Sequence, residues 1–156
     1  MIDRFHRFAQ YDSGFRKVAK DIYVLTNLCK MLNDNKSELW LLTSLGVAKF
    51  TAVSDFMKSI EESGVIEDVN KSKDEIMKQM APIQNPIVNY EDAHKLLVEL
   101  FNDTSYLCNM TVSYSSSGSP DIDSKTRNFY VVFDELSIKF PELKECLKGI
   151  QYCTNK

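Results

Sequence analysis

Residues 38–63 read ELWLLTSLGVAKFTAVSDFMKSIEES. From Leu39 to Met57 only Lys49 and Asp55 are charged. The apolar residues Leu39, Trp40, Leu41, Leu42, Leu45, Val47, Phe50, Val53, Phe56 and Met57 spread round the whole helical wheel. A helix that is apolar on every side belongs inside a protein or a membrane. Lys49 and Asp55 interrupt this one, and Thr43, Ser44, Thr51 and Ser54 dilute it, which argues against a membrane span. Asn35, with Glu38 three residues on, reads as an N-terminal cap, and Gly64 suits the left-handed position after a last turn. The expectation is a central helix, with Trp40 buried, wrapped by the rest of the chain.

Outward from that stretch, residues 2–33 carry Ile2, Phe5, Phe8, Tyr11, Phe15, Val18, Ile22, Leu25, Cys29 and Leu32 at steps of three and four. That spacing predicts one long helix or two stacked ones, bent at Gly14. Asn33-Asp34-Asn35 reads as a tight break between antiparallel neighbours. Residues 65–88 form the longest connection, with a short helix from about Lys73 to Met80 behind the capping box Ser72–Glu75. Pro82 and Pro86 stop it. A helix then opens at residues 89–92 and runs to about Tyr114, with Ala93, Leu97, Leu100, Phe101, Thr104, Leu107, Cys108 and Thr111 on one side. Residues 115–121, rich in Ser and Gly, read as a flexible loop. A last helix covers about 122–148, with Pro141 as a kink or a new start and Gly149 as its end. The fold expected is all-α: a single domain over 1–156, an up-and-down bundle of four long helices with a short fifth helix in the crossover.

Composition narrows the function. Net charge is −3 with acids and bases interleaved, which leaves no basic footprint for nucleic acid or an anionic membrane surface. No signal-peptide pattern opens the chain. The four cysteines are an even number. Asn35, Asn70, Asn102 and Asn109 each begin a glycosylation acceptor triplet. Both features point to an extracellular protein whose leader is removed, with a cytoplasmic setting as the alternative. Asn102 and Asn109 lie off their helix's apolar stripe and are the preferred glycosylation candidates. The helix directions pair Cys29 with Cys108 and Cys146 with Cys153 as candidate disulfides.

Chemistry is harder to find. His6 and His94 have no Cys, His or paired carboxylate at ligand spacing, so no metal site is assigned. The five glycines are scattered and form no phosphate-binding loop. No nucleophile elbow is present, and no catalytic residue or cofactor is assigned. The aromatic residues Phe50, Phe56, Phe129 and Phe133 could line an apolar pocket, although such residues also fill cores.

Glu99-Leu100-Phe101-Asn102-Asp103 resembles part of the first homology motif of the apoptosis-regulating Bcl-2 proteins. That resemblance implies a helical bundle around a buried central helix that takes a partner helix in a groove. The match covers five residues, and Thr104-Ser105-Tyr106 stand where a Gly-Arg pair would follow, so the groove arginine is missing. The function expected is therefore a non-enzymatic secreted bundle that binds a partner protein or a small lipophilic ligand. The alternatives are an intracellular bundle, viral or otherwise, with a partner helix in a groove, and a hydrolase with dispersed catalytic residues.

Overall fold

The computed structural model describes residues 2–49, 51–116 and 122–150, with side chains over 5–49, 51–111 and 128–150. It is all-α, with five helices and, among the described residues, no strand. Helix α1 spans Ile2–Ser44, α2 Ala52–Ser63, α3 Val65–Met80, α4 Glu91–Ser116 and α5 Ile122–Lys148. A 3-10 turn, Ala81–Ile83, follows α3.

Helix α1 runs unbroken for 43 residues, about 65 Å at 1.5 Å per residue. Its stripe of Tyr11, Phe15, Val18, Ile22, Leu25, Cys29 and Leu32 is buried throughout. The break expected at Asn33-Asp34-Asn35 is absent. Asn and Asp are poor helix formers, but only by a few tenths of a kcal/mol each. Here the Lys30 ammonium bonds Asp34 Oδ2 at 2.6 Å, and Tyr130 of α5 donates a hydrogen bond to Asp34 Oδ1. Tertiary partners outweigh the local preference, and Asn35 is an exposed mid-helix residue rather than a cap.

The central helix expected over 38–63 is also corrected. The apolar run divides between the end of α1 and the start of α2, with a turn between them. The Thr43 and Ser44 hydroxyls bond back to the carbonyls of Leu39 and Trp40, and Gly46 takes φ +75°. Back-bonding hydroxyls and a left-handed glycine end α1. Trp40 is 38% exposed, Leu41 58%, Leu45 66% and Val47 73%. The stretch forms the tip of a helical hairpin, not its core, and Trp40 is not buried.

Gly64 does end a helix. It sits at φ 79° with its N–H bonded to the Glu61 carbonyl. Helix α3 begins at once after it, so residues 65–80 are a full helix of 16 residues and not mostly loop. Val69 and Ile76, buried at a spacing of seven, are the periodic signal behind it. Ser72 lies inside α3 and caps nothing. Asn89, at φ 76°, turns the chain into α4. The expected stripe of α4 is buried from Ala93 to Thr111, with Phe101 half-buried. Helix α5 passes through Pro141 as one element and closes where Gly149 N–H bonds the carbonyls of Glu145 and Cys146. The loop expected over 115–121 is only partly described: Ser115 and Ser116 belong to α4, and 117–121 lie outside the described residues.

Residue pairs give the helix directions. Asp12 meets Tyr90, Thr26 meets Thr104 and Cys29 meets Cys108, so α1 and α4 run parallel. Arg16 meets Leu147, Tyr23 meets Phe140 and Lys30 meets Phe133, so α5 runs antiparallel to α1. Lys17 with Gln79 and Lys73 with Asn109 set α3 antiparallel to both α1 and α4. Helices α3 and α5 make no contact with each other among the described residues. They flank the central pair α1–α4, whose shared face holds Phe15, Ile22, Leu97, Leu100 and Leu107, each at most 0% exposed. Each such side chain stabilises the fold by about 1.5–3 kcal/mol.

Candidate functional site

The antiparallel packing of α1 on α5 leaves an open groove of about 660 Å³. Sites for small ligands are about 300–1,000 Å³ and mostly apolar. Tyr23 and Phe140 form an edge-to-face pair with ring centroids 5.2 Å apart. Phe133 continues the apolar wall along α5, with Leu136 fully buried behind it, and Lys20 and Lys144 stand at the groove's other end. Thr26, at the base, is tied to the buried Thr104 hydroxyl at 2.8 Å and to the Ile22 carbonyl. The floor is therefore a fixed part of the core.

The four phenylalanines expected to share a pocket do not. Phe133 lines the groove and also lies under the Lys30 ammonium, 5.4 Å from the ring centre. Phe129 is fully buried against Tyr130. Phe56 packs on the core from α2, and Phe50 lies outside the described residues. Tyr23, Phe140 and Lys20 were not among the expected site residues. Their one sequence signal is that Lys20 and Tyr23, three apart, lie off the buried stripe of α1, where an exposed aromatic has no core to fill.

Cys29 and Cys108 are fully buried and face one another with sulfurs 3.7 Å apart. A disulfide needs about 2.05 Å, so both thiols are free in this structure. Cys146 is free and partly exposed, and Cys153 lies outside the described residues. Asn35, Asn70, Asn102 and Asn109 are all exposed, and all lie within helices. Asn109 Oδ1 accepts a hydrogen bond from Lys73 at 3.1 Å.

The segment that resembles the Bcl-2 motif faces α5. Lys139 bonds Asp103 at 2.8 Å and reaches Glu99 at 3.9 Å, while Leu100 is buried. None of its residues lines the α1–α5 groove. His94, partly buried, stands near the start of α4 and His6 on exposed α1 surface. Among the described residues no group of three or more His, Cys, Asp or Glu side chains is gathered to hold a metal, and no helix is long and apolar enough to cross a membrane.

A second polar cluster sits at the end where α1 and α4 begin. Tyr90 donates to Asp12, Arg16 pairs with Asp12 at 2.9 Å, and Tyr11 donates to the Ile83 carbonyl at 3.3 Å. Burial, with Glu91 nearby, pushes the Tyr11 phenol up to about 12. Burial and the Asp12 hydrogen bond push Tyr90 up as well. With Phe8 and Phe15 these rings form an aromatic wedge that joins the two parallel helices; neither phenol has an ordinary acid's availability at neutral pH.

These features define the class as an all-α helical bundle with an aromatic-walled surface groove. No family model, curated protein or solved structure matches the chain.

Proposed function

We propose that the protein is a non-enzymatic binding protein that takes a small lipophilic ligand in the groove between α1 and α5. The observation that carries this reading is the 660 Å³ groove with Tyr23, Phe133 and Phe140 along it. The scaffold that goes with it is an up-and-down bundle of one domain, in which α2 and α3 together make the second leg, jointed at Gly64. The setting we propose is extracellular. Four exposed acceptor asparagines support it, and in that setting the facing Cys29 and Cys108 thiols are proposed to form a bridge. Native mass spectrometry of gently purified protein tests the reading. A stoichiometric lipophilic adduct is expected, together with displacement of a neutral solvatochromic dye by single-chain lipids. Protein that carries no adduct and binds no such dye overturns it.

A second reading, a partner-protein surface, is favoured by the hairpin tip. Trp40, Leu41, Leu45 and Val47 are all exposed there, and clustered exposed apolar side chains mark interaction sites. It suits a cytoplasmic setting as well as a secreted one. Thiol counting separates the settings: bridged cysteines favour the outside, free ones the cytoplasm.

A further inference from the structure

The α1–α5 groove has two unlike ends. The register set by Arg16–Leu147, Tyr23–Phe140 and Lys30–Phe133 brings Lys20 of α1 opposite Leu143 and Lys144 of α5. Two lysines therefore stand on opposite walls of the groove at one level. Beyond them run Tyr23, Phe140 and Phe133, and no carboxylate lines the groove at any point.

The charge pattern around it sharpens this asymmetry. Arg16, Lys17, Lys30, Lys139 and Lys148, on the same two helices, are each paired with a carboxylate. Lys20 and Lys144 make no ion pair among the described residues. The nearby acids do not answer them: Asp21 is held by Lys17 and Glu145 by Lys148, and Glu142 is not in the lining. Two uncompensated cations beside an apolar trough are complementary to a molecule with one anionic end and one hydrocarbon end.

We infer that the groove's ligand is a single-chain anionic amphiphile of the fatty-acid type, its carboxylate between Lys20 and Lys144 and its chain along Tyr23, Phe140 and Phe133. This rests on the groove being a binding site. Burial of the chain supplies affinity, and the two ammonium groups supply the choice of head group. Neutral lipids with the same chain bind the same trough without that choice.

The test compares dodecanoic acid with dodecan-1-ol as displacers of a neutral solvatochromic dye, below their aggregation limits and at low salt. The acid should bind about five- to tenfold tighter than the alcohol, since two exposed ion pairs are worth about that much, and added salt should erase the difference. The double variant K20Q/K144Q should bring the acid down to the alcohol's affinity and leave the alcohol unchanged. Both lysines are exposed, so the variant keeps its fold, which far-UV circular dichroism checks. Tyr23→Glu, also at an exposed position, should weaken the acid more than the alcohol. Equal binding of acid and alcohol overturns the anionic assignment while the groove reading stands. An acid preference that survives K20Q/K144Q overturns it too. Failure of both compounds to displace the dye, or of the dye to bind, removes the groove reading itself.

Discussion

Cys29 on α1 and Cys108 on α4 meet in the core with their sulfurs 3.7 Å apart and unbonded. The hydrogen bond between them, and then burial, hold the Cys108 thiol far above the ordinary thiol value. A protonated, buried thiol is a poor nucleophile.

Cys29 and Cys108 are both fully buried, so in reduced protein an alkylating reagent should label the partly exposed Cys146 quickly and reach the two core thiols only on unfolding. Peptide mapping by mass spectrometry reads this directly. In protein made in an oxidising compartment the same mapping should find Cys29 linked to Cys108. That bridge closes a separation of 79 residues and would stabilise the fold by about 2–5 kcal/mol. A link from Cys29 to Cys146 would contradict both the register of α1 on α4 and the oxidised form proposed for the outside.

The Thr26–Thr104 hydroxyl pair predicts a coupled mutational effect. Each hydroxyl is buried, and the two are 2.8 Å apart. Thr26→Val strands the Thr104 hydroxyl and should cost about 1–3 kcal/mol. Replacing both by Val removes the stranded group, so the double variant should lose less than the two single losses combined. Urea unfolding of the four proteins in a double-mutant cycle checks it. Additive losses would mean that the hydroxyls do not interact.

Alkaline stability should depend on Tyr11. Its phenol goes from about 10 in the unfolded chain to about 12 in the fold, so the folded protein holds the proton more tightly. The resulting stability is fully present below pH 10 and is lost as pH rises through 12. Tyr11→Phe keeps the ring and removes the titration. Between those pH values the variant should lose less stability than the wild type, as followed by denaturant midpoints. An identical decline in both proteins would refute the assignment.

The exposed hairpin tip predicts a solvated indole. Trp40 is 38% exposed, so its emission should be red-shifted from that of a fully buried indole and should be quenched by acrylamide. Leu45→Ser and Val47→Ser should each change stability by less than about 0.5 kcal/mol, as expected of surface positions. A strongly blue-shifted emission in the isolated protein would show that the tip is covered.

Much of the helix layout was readable because it is periodic. The α1 stripe from Tyr11 to Leu32 and the α4 stripe from Ala93 to Thr111 repeat every three or four residues, and burial follows both closely. The errors arose where composition stood in for partners. Residues 39–47 are apolar enough for a core, but hydrophobicity records what a segment can bury, not whether anything covers it. Asn33-Asp34-Asn35 looked like a break because Tyr130, Asp34's partner, lies 96 residues away. The α1–α5 groove was hidden for a similar reason: Lys20 and Lys144 come to the same level only through the α1–α5 register. Phe56 and Phe129 are ordinary core members, and only Phe133 of the expected pocket reaches the groove.

Helix α1 touches each of the other four helices, and that shared wall governs how the chain can assemble. Helices α4 and α5 can zip together early, being close in sequence, and so can α1, α2 and α3. Neither half closes its own core, because Phe15, Ile22 and Leu97 need both. The joining seam runs through Thr26–Thr104, 78 residues apart, so bringing the halves together requires closure of one long loop. Mutations along that seam should slow folding, whereas changes at the hairpin tip should leave its rate alone.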